Sequence, residues 1–408
     1  MDKTEFTQIR RFIVKLGKML HKYGTPAFRL EAYLMEVAAY FGVHASFIST
    51  PTSLTFVIWS DRHEDEYTHA ARLLPGELDL NSLALTDELA VKLIAGDIAL
   101  KDADVRLDEI DALNSPYGRV TTGIAFAAST GAFATLMGAG FKEIFISSFL
   151  GLLVYLWTIW SERSKRVKLM LEPVASFTTA FLAGVISHFL LPGINIWLII
   201  LSSLIILVPG LALSMGLAEL SSRNLVSGTA RVMDAIMQLF KLYFGAFLGI
   251  YLSVALLSQY SVEQPQAMPW WIQWVGVIVL SLGLVAIFRT RIKDIPWAVL
   301  ATVIAYASTK MSSMYLEQGL GAFIGAFVLG VYANVFARVA NKPSTIIAMH
   351  GLIVLVPGSK TYIGLNSMIS GQDFVQADHI GQETFFILMS LVAGLIFANV
   401  VAPTKKAL

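Results

Sequence analysis

The 408-residue chain contains no cysteine, and only 14% of its residues are charged. The lack of cysteine excludes disulfides, thiolate metal ligands and a cysteine nucleophile. Charged residues make up ~25% of a typical soluble domain, well above the 14% of this chain. Hydrophobic residues make up 56% of it. A net charge of +1 gives no reason to expect nucleic acid as a partner. The composition therefore predicts a polytopic membrane protein that works in a lipid bilayer.

Most of the charge is concentrated in residues 1–118. Helical apolar spacing occurs over 6–22 and 26–41, a β-rich stretch follows, and helical spacing returns over 80–112. We predict a small cytosolic α+β domain. The acidic, histidine-containing stretch 61–69 matches no zinc-binding spacing and is predicted to be a solvated loop, so no metal site is expected. The N-terminus shows no signal-peptide pattern.

The rest of the chain is a series of apolar segments, each long enough to cross a bilayer as a helix. Ten segments are predicted, over about 120–141, 143–160, 168–190, 195–219, 232–257, 271–289, 296–313, 319–340, 344–368 and 379–402. Thirteen Lys and Arg residues fall in the connections on one side, and only Lys142, Lys310 and Lys360 on the other. By the positive-inside rule, both termini are predicted to be cytoplasmic, in the cell (inner) membrane.

A short motif occurs twice, as ILVPGLALSMGL over 206–217 and VLVPGSKTYIGL over 354–365. A constant offset of 148 residues relates the two Val-Pro-Gly triplets. They lie in the fourth and ninth predicted segments, the fourth of each set of five. Because five is odd, the second set crosses the bilayer in the opposite direction. The pattern predicts a 5+5 inverted repeat, a common construction of secondary transporters.

Each Val-Pro-Gly triplet is expected to interrupt its helix near the middle of the membrane, since proline lacks an N–H group and glycine adds freedom. Unpaired backbone groups at that depth are tolerated only inside protein or beside a cavity. The amide ends could bind an anion and the released carbonyls an ammonium or hydroxyl group. The alternative is a plain proline kink without a ligand. The candidate substrate-binding residues are Pro209, Gly210, Ser214, Pro357, Gly358, Ser359, Lys360 and Thr361.

Ionisable residues in or beside the apolar segments are candidates for proton coupling, because charge in a membrane is costly. Glu219 and Asp234 flank the connection after the first triplet, where a helix-end salt bridge is the alternative. His188 and His350 lie at membrane depth and titrate near neutral pH when unperturbed, although a hydrogen-bonded structural role is the alternative for each.

Several stretches in a fixed order resemble the threonine/serine exporter family. They are LHKYGTPAFRLEAYLMEVAAYFGV, TPTSLTF, LDLNSLALTDELAVKLIAGDIALKDADVRLDEI and VPGLALSMGLAELSSRNLVSGTARV. Gly24, Arg29 and Glu31 match the signature of the N-terminal domain, and the two Val-Pro-Gly triplets match the membrane halves. The resemblance covers essentially the whole chain.

The resemblance implies ten spans, a cytosolic N-terminal domain and export of threonine and serine driven by the proton-motive force. Family members whose two parts lie on separate chains are associated with succinate export. One departure concerns Glu219, where the resemblance implies an aspartate. The second repeat has Ser367 at the equivalent position.

We therefore predict a proton-coupled exporter of small amino acids that works by alternating access, with no cofactor and no catalytic site. Its predicted parts are a cytosolic domain over 1–118 and membrane repeats over 119–258 and 259–408. The alternatives are a dicarboxylate exporter, a passive channel, and a membrane-anchored enzyme or sensor that acts through the N-terminal domain.

Overall fold

The computed structural model of the chain describes residues 3–61, 63–257, 268–356, 358 and 380–403. Most of these residues are helical, and an antiparallel sheet of three strands lies near the N-terminus. The N-terminal region, residues 3–111, consists of α1 Lys3–Lys22, α2 Ala27–Tyr40, β1 His44–Thr50, β2 Ser53–Ser60, β3 His63–Arg72, α3 Leu80–Ile94 and α4 Leu100–Asp111.

The predicted loop over 61–69 is wrong, because residues 63–72 form strand β3. This strand pairs antiparallel with β2, with Thr68 opposite Val57. Tyr67 and His69 stack their rings on one face of the strand, and the Arg10 guanidinium lies 4.2 Å from the centre of the Tyr67 ring. Backbone pairing to the free edge of β2 therefore determines the structure of this polar stretch.

The helical region follows and covers all ten predicted apolar segments at least in part. Its helices are α5 Arg119–Leu136, α6 Phe141–Arg163, α7 Lys165–Leu169, α8 Leu171–Phe189, α9 Ile196–Leu204, α10 Gly210–Ser221, α11 Leu225–Leu257, α12 Ile272–Ile287, α13 Ile295–Ser312, α14 Gln318–Ala340, α15 Thr345–Leu355 and α16 Ile380–Val401.

Among the described residues, four helices are long and apolar enough to cross a membrane. They lie over Phe141–Arg163, Leu225–Leu257, Gly319–Ala340 and Gly381–Val401. On α6, large apolar side chains recur every three or four residues and are exposed, as at Phe145, Phe149, Leu152 and Leu156. Such a stripe is stable only against a partner or lipid. The chain is therefore a multi-pass membrane protein.

Two helix pairs pack closely through glycine, α8 with α11 and α14 with α16. A Cβ atom at Gly249 of α11 would lie 2.4 Å from the backbone oxygen of Phe177 in α8. At Gly394 of α16 it would lie 2.6 Å from the backbone oxygen of Phe323 in α14. Small residues allow helix backbones to approach in this way in membranes. The third and fifth predicted segments of each half are thus paired in the same manner.

The N-terminal region packs directly on the connection between α12 and α13. The Arg291 guanidinium lies 2.5 Å from the Glu88 carboxylate, and that of Arg289 lies 3.2 Å from Asp79. The backbone amide of Leu80 donates to the carbonyl oxygen of Phe288 at 3.1 Å. The buried apolar side chains of the N-terminal region are continuous with those of α12 to α16. This region is therefore built into the helical region and is not merely tethered to it.

Replacing Gly249 with alanine should destabilise the protein by about 1–3 kcal/mol, because the added methyl group forces α11 away from α8. Thermal melting of the detergent-purified protein measures the effect as a lower Tm. The matched control is Gly118→Ala, because a Cβ atom at Gly118 has no neighbour within 4 Å and the φ angle there is −67°. Equal melting temperatures for the two variants would contradict this packing.

Candidate functional site

The first Val-Pro-Gly triplet interrupts its helix as predicted from proline chemistry. Helix α9 ends at Leu204, and α10 begins at Gly210 with Pro209 as its N-cap. In the connection the Val208 amide donates to the Leu204 oxygen at 3.2 Å, and the Gly210 amide donates to the Val208 oxygen at 2.8 Å. The interruption is therefore a tight turn followed by a new helix N-terminus.

Several backbone groups at this interruption have no backbone hydrogen-bond partner in the described part of the chain. The amides of Leu211 and Ala212 donate no backbone hydrogen bond to the described residues, and the carbonyls of Ile206 and Leu207 accept none from them. The first amides of a helix carry a partial positive charge, and unpaired carbonyls carry a partial negative charge. The interruption thus offers both donors and acceptors to a solute.

The second triplet meets the first. Helix α15 ends at Leu355, and Val356 takes an extended conformation after it. A Cβ atom at Gly210 would lie 2.7 Å from Cγ1 of Val356 and 3.1 Å from Cα of Gly358. One at Gly358 would lie 3.2 Å from Cγ1 of Val208. Only the absence of a side chain at these positions allows the two interruptions to touch.

A cavity of about 450 Å³, the central cavity, lies beside this contact. Pro209, Gly210, Val356 and Gly358 contribute to its lining. Most of the remaining wall is apolar, with side chains from α5, α12 and α15. Two polar side chains that the sequence does not single out, Gln238 of α11 and Tyr306 of α13, also line it.

The other predicted substrate-binding residues do not line this cavity or lie outside the described residues. Ser214 lines a separate, smaller cavity of about 110 Å³. The residue is only 3% exposed, and its hydroxyl group has no hydrogen-bond partner among the described residues. Pro357, Ser359, Lys360 and Thr361 lie outside the described residues.

Glu219 is fully buried and joins the N-terminal region to the helical region. Its Oε1 accepts hydrogen bonds from the Ala27 amide at 3.0 Å and from the Arg231 guanidinium at 2.9 Å. Its Oε2 accepts from the Ser227 hydroxyl at 2.8 Å and from Arg231 Nε at 3.2 Å. The carboxylate therefore receives four hydrogen bonds, one of them from the first residue of α2.

The sharp turn between α10 and α11 brings these groups together. Arg223 takes a φ angle of +63°, and the Asn224 amide closes the turn by donating to the Glu219 backbone oxygen at 2.9 Å. The two helices then touch at glycines, since a Cβ atom at Gly228 would lie 2.7 Å from the backbone oxygen of Gly216. Gly216, the second glycine of the first repeated motif (206–217), therefore allows α10 and α11 to pack closely.

The other proton-coupling candidates have different surroundings. Asp234 is exposed, and its carboxylate accepts a hydrogen bond at 3.0 Å from Gln238, which lines the central cavity. His188 is exposed at the end of α8, with its ring against that of Phe189. His350 is 0% exposed, and its two ring nitrogens lie 2.8 Å from the Thr290 hydroxyl and 3.0 Å from the Ile346 oxygen.

Two polar features escape prediction from the sequence. Tyr306 and Lys310 share the side-chain oxygen of Gln273, at 3.2 and 2.5 Å. Their spacing of four residues on α13 is a helical signal, but nothing in the sequence indicates its distant partner. Arg29, noted only through the family resemblance, reaches the first turn of α15. No periodicity could have located that contact.

The fold and the contacting interruptions define a multi-pass membrane protein built around discontinuous helices, an arrangement found in transporters. Residues 11–253 match the family model described as "Putative threonine/serine exporter". Residues 273–401 match the model "Threonine/Serine exporter, ThrE". The chain belongs to the threonine/serine exporter family.

Among curated proteins, the chain is similar to fungal proteins named pheromone-regulated membrane protein 10. It is 26% identical over 384 residues to that of Candida albicans (strain WO-1), covering 90% of this chain and 34% of the relative. It is 23% identical over 373 residues to that of Saccharomyces cerevisiae (strain YJM789), covering 90% of this chain and 48% of the relative. The chain spans about a third to a half of the length of these relatives. No solved structure matches it.

Replacing Arg231 with glutamine should destabilise the protein by roughly 3 kcal/mol, because it leaves the buried Glu219 carboxylate without its charged partner. The measurement is a thermal melt in detergent. The matched control is Arg106→Gln, which breaks an exposed ion pair with Glu109 and should change stability by less than ~1 kcal/mol. If both variants melt alike, the Glu219 cluster does not hold the two regions together.

Proposed function

We propose that this protein is a proton-motive-force-coupled secondary exporter of small amino acids, chiefly threonine or serine. The solute binds in the central cavity and reaches the two sides of the membrane in turn. The observation that carries the proposal is the contact between the two interrupted helices at Gly210 and Gly358 beside that cavity. Family membership supports the class of substrate.

The chemistry of the interruption suits a zwitterion. The amides of Leu211 and Ala212 and the carbonyls of Ile206 and Leu207 have no backbone partner among the described residues, so the amides complement a carboxylate and the carbonyls an ammonium group. Gln238 and Tyr306 add neutral polar groups to an otherwise apolar wall. The proposed binding residues at this site are Pro209, Gly210, Pro357, Gly358, Ser359, Lys360 and Thr361, whereas Ser214 lines the separate, smaller cavity. Lys360 alone among them carries a full charge.

We further propose the 5+5 inverted repeat over 119–258 and 259–408, with 1–118 as a cytosolic domain. The similar pairing of α8 with α11 and of α14 with α16 supports two equivalent halves. So does the contact of the two Val-Pro-Gly triplets, which an approximate two-fold axis would bring together. The excess of Lys and Arg in one set of connections supports cytoplasmic termini in the inner membrane.

For proton coupling, Asp234 has the best-supported position among the candidates. Its hydrogen bond to Gln238 links it to the wall of the central cavity, and the described residues form no ion pair with it. Glu219 is held by the Arg231 guanidinium and the Ala27 amide and lines neither cavity. His188 lines neither the central cavity nor the smaller cavity that Ser214 lines, and His350 is held by Thr290 and Ile346.

Transport by the full chain in proteoliposomes tests the proposal. Under an imposed pH gradient, we expect uptake or release of labelled threonine that an uncoupler abolishes. Gly210→Val should reduce this transport about tenfold or more, because the valine side chain would push the two interruptions apart. Each factor of ten corresponds to about 1.4 kcal/mol. Gly118→Ala serves as the control because its site is open.

The alternatives give different results in the same assay. Movement of succinate without threonine would replace the amino-acid proposal with a dicarboxylate exporter. Flux that ignores an uncoupler would indicate a channel. Substrate turnover by the full protein, unaffected by Gly210→Val and without transport, would indicate an enzyme or sensor.

Asp234→Asn should uncouple transport from the pH gradient, because the amide cannot take up a proton yet can still hydrogen-bond Gln238. We expect threonine exchange at equal pH to persist while gradient-driven accumulation is lost. Asp102→Asn is the matched control, since that carboxylate lies in the exposed first turn of α4. Full gradient-driven accumulation by Asp234→Asn would rule out this residue as the proton carrier.

A further inference from the structure

The smaller cavity, which we call the interface cavity, lies where the N-terminal region meets the helical region. Its volume is about 110 Å³, and its walls come from α2, α10, α14, α15 and α16. Roughly 10–15 Å³ of such space is needed for one water molecule. The cavity therefore has room for a solute of several non-hydrogen atoms.

Arg29 brings a positive charge to this cavity. From α2, its Nη1 donates to the Ser344 hydroxyl at 2.9 Å and the Thr345 hydroxyl at 2.7 Å. A guanidinium has five N–H donors, and those on Nε and Nη2 have no acceptor in the described part of the chain. No carboxylate there forms an ion pair with it. Burial lowers the pKa of Arg29 to about 10.

Ser214 contributes a buried polar group on another wall of the same cavity. The residue is 3% exposed, yet its hydroxyl group forms no hydrogen bond with the described residues. Buried hydroxyl groups are nearly always paired in folded proteins, because desolvation without a partner is unfavourable. The Ser214 hydroxyl and the Arg29 donors that lack an acceptor in the described part of the chain line the same cavity, so one polar solute there would complete both.

The charge of the lining identifies the class of solute. Arg29 is the charged residue that lines the cavity, and no Asp or Glu is among the described lining residues. The polar remainder is neutral and includes Asn334 and Asn399, while Leu352 and Leu395 contribute apolar surface. A planar carboxylate matches the fork of a guanidinium and neutralises it. A cation would meet an unfavourable charge here.

We propose that the interface cavity binds the carboxylate group of a small solute, with Arg29 as its ion-pair partner and the Ser214 hydroxyl as a hydrogen-bond donor. Ser214 follows Gly210 by four residues on α10, about one helical turn or ~6 Å. The interface cavity therefore lies next to the central cavity. Binding itself does not depend on the proposed function, but a role as a waiting site for exported threonine rests on it.

Calorimetric titration of the full chain in detergent tests the proposal with three probes. L-threonine and acetate both carry a carboxylate, whereas L-threoninamide differs from threonine in lacking one. We expect threonine to bind, acetate to compete with it, and threoninamide to bind about tenfold to a hundredfold more weakly, the range for loss of a charge-assisted hydrogen-bonded pair. Equal binding of threonine and threoninamide would overturn the proposal.

Variants locate the binding in this cavity. Arg29→Gln and Ser214→Ala should both weaken threonine binding, and Arg29→Lys should restore part of it because it keeps the charge. Ser214→Ala should leave the melting temperature of the free protein unchanged or raised, since it removes an unpaired hydroxyl. Arg106→Gln, far from the cavity, is the control. If the Arg29→Gln variant does not fold, the threonine affinities of the Ser214→Ala and Arg29→Lys variants still test the proposal.

The two proposals fail in different ways. Carboxylate binding that requires Arg29 and Ser214, without any transport, would keep this site and remove the exporter. Threonine binding and transport that require Gly210 but are unaffected by Arg29→Gln and Ser214→Ala would keep the exporter and remove this site.

Discussion

The contact between Gly210 and Gly358 is the constraint on which the rest of the helical region depends. Two helices end near this point and one begins there, so backbone groups without a backbone partner among the described residues accumulate that lipid cannot satisfy. The surrounding helices must therefore enclose them, and side chains of α5, α12 and α15 form much of that enclosure. A side chain at either glycine would separate the interruptions and open the bundle.

The N-terminal region is held to this bundle by polar contacts at several separate places. Glu219 receives the Ala27 amide, Arg29 reaches Ser344 and Thr345, and two arginines after α12 pair with acidic residues of the N-terminal region. These contacts involve both α10 and α15, the helices that adjoin the two Val-Pro-Gly triplets. The position of the N-terminal region therefore depends on how α10 and α15 are arranged relative to each other.

The sequence predicted the apolar helices and the first interruption because both follow from local rules: hydrophobic length for the helices, and the chemistry of proline and glycine for the break at Pro209. It failed at residues 61–69, where pairing with β2 outweighs polar composition. It also assigned Ser214 to the main site, although the residue faces a different cavity. Arg29 and Gln238 line cavities only because distant segments of the chain pack together, and no local sequence pattern encodes that packing.

Helix α15 has a further consequence because of what lies at its two ends. Arg29 is hydrogen-bonded to Thr345 at its start, and Val356 beyond its end touches Gly210. Eleven residues make a rigid rod about 16 Å long. A tilt of the N-terminal region would be carried along this rod as a lever and would shift the meeting point of the two interrupted helices. The N-terminal region is thus connected through α15 to the contact between the two Val-Pro-Gly triplets.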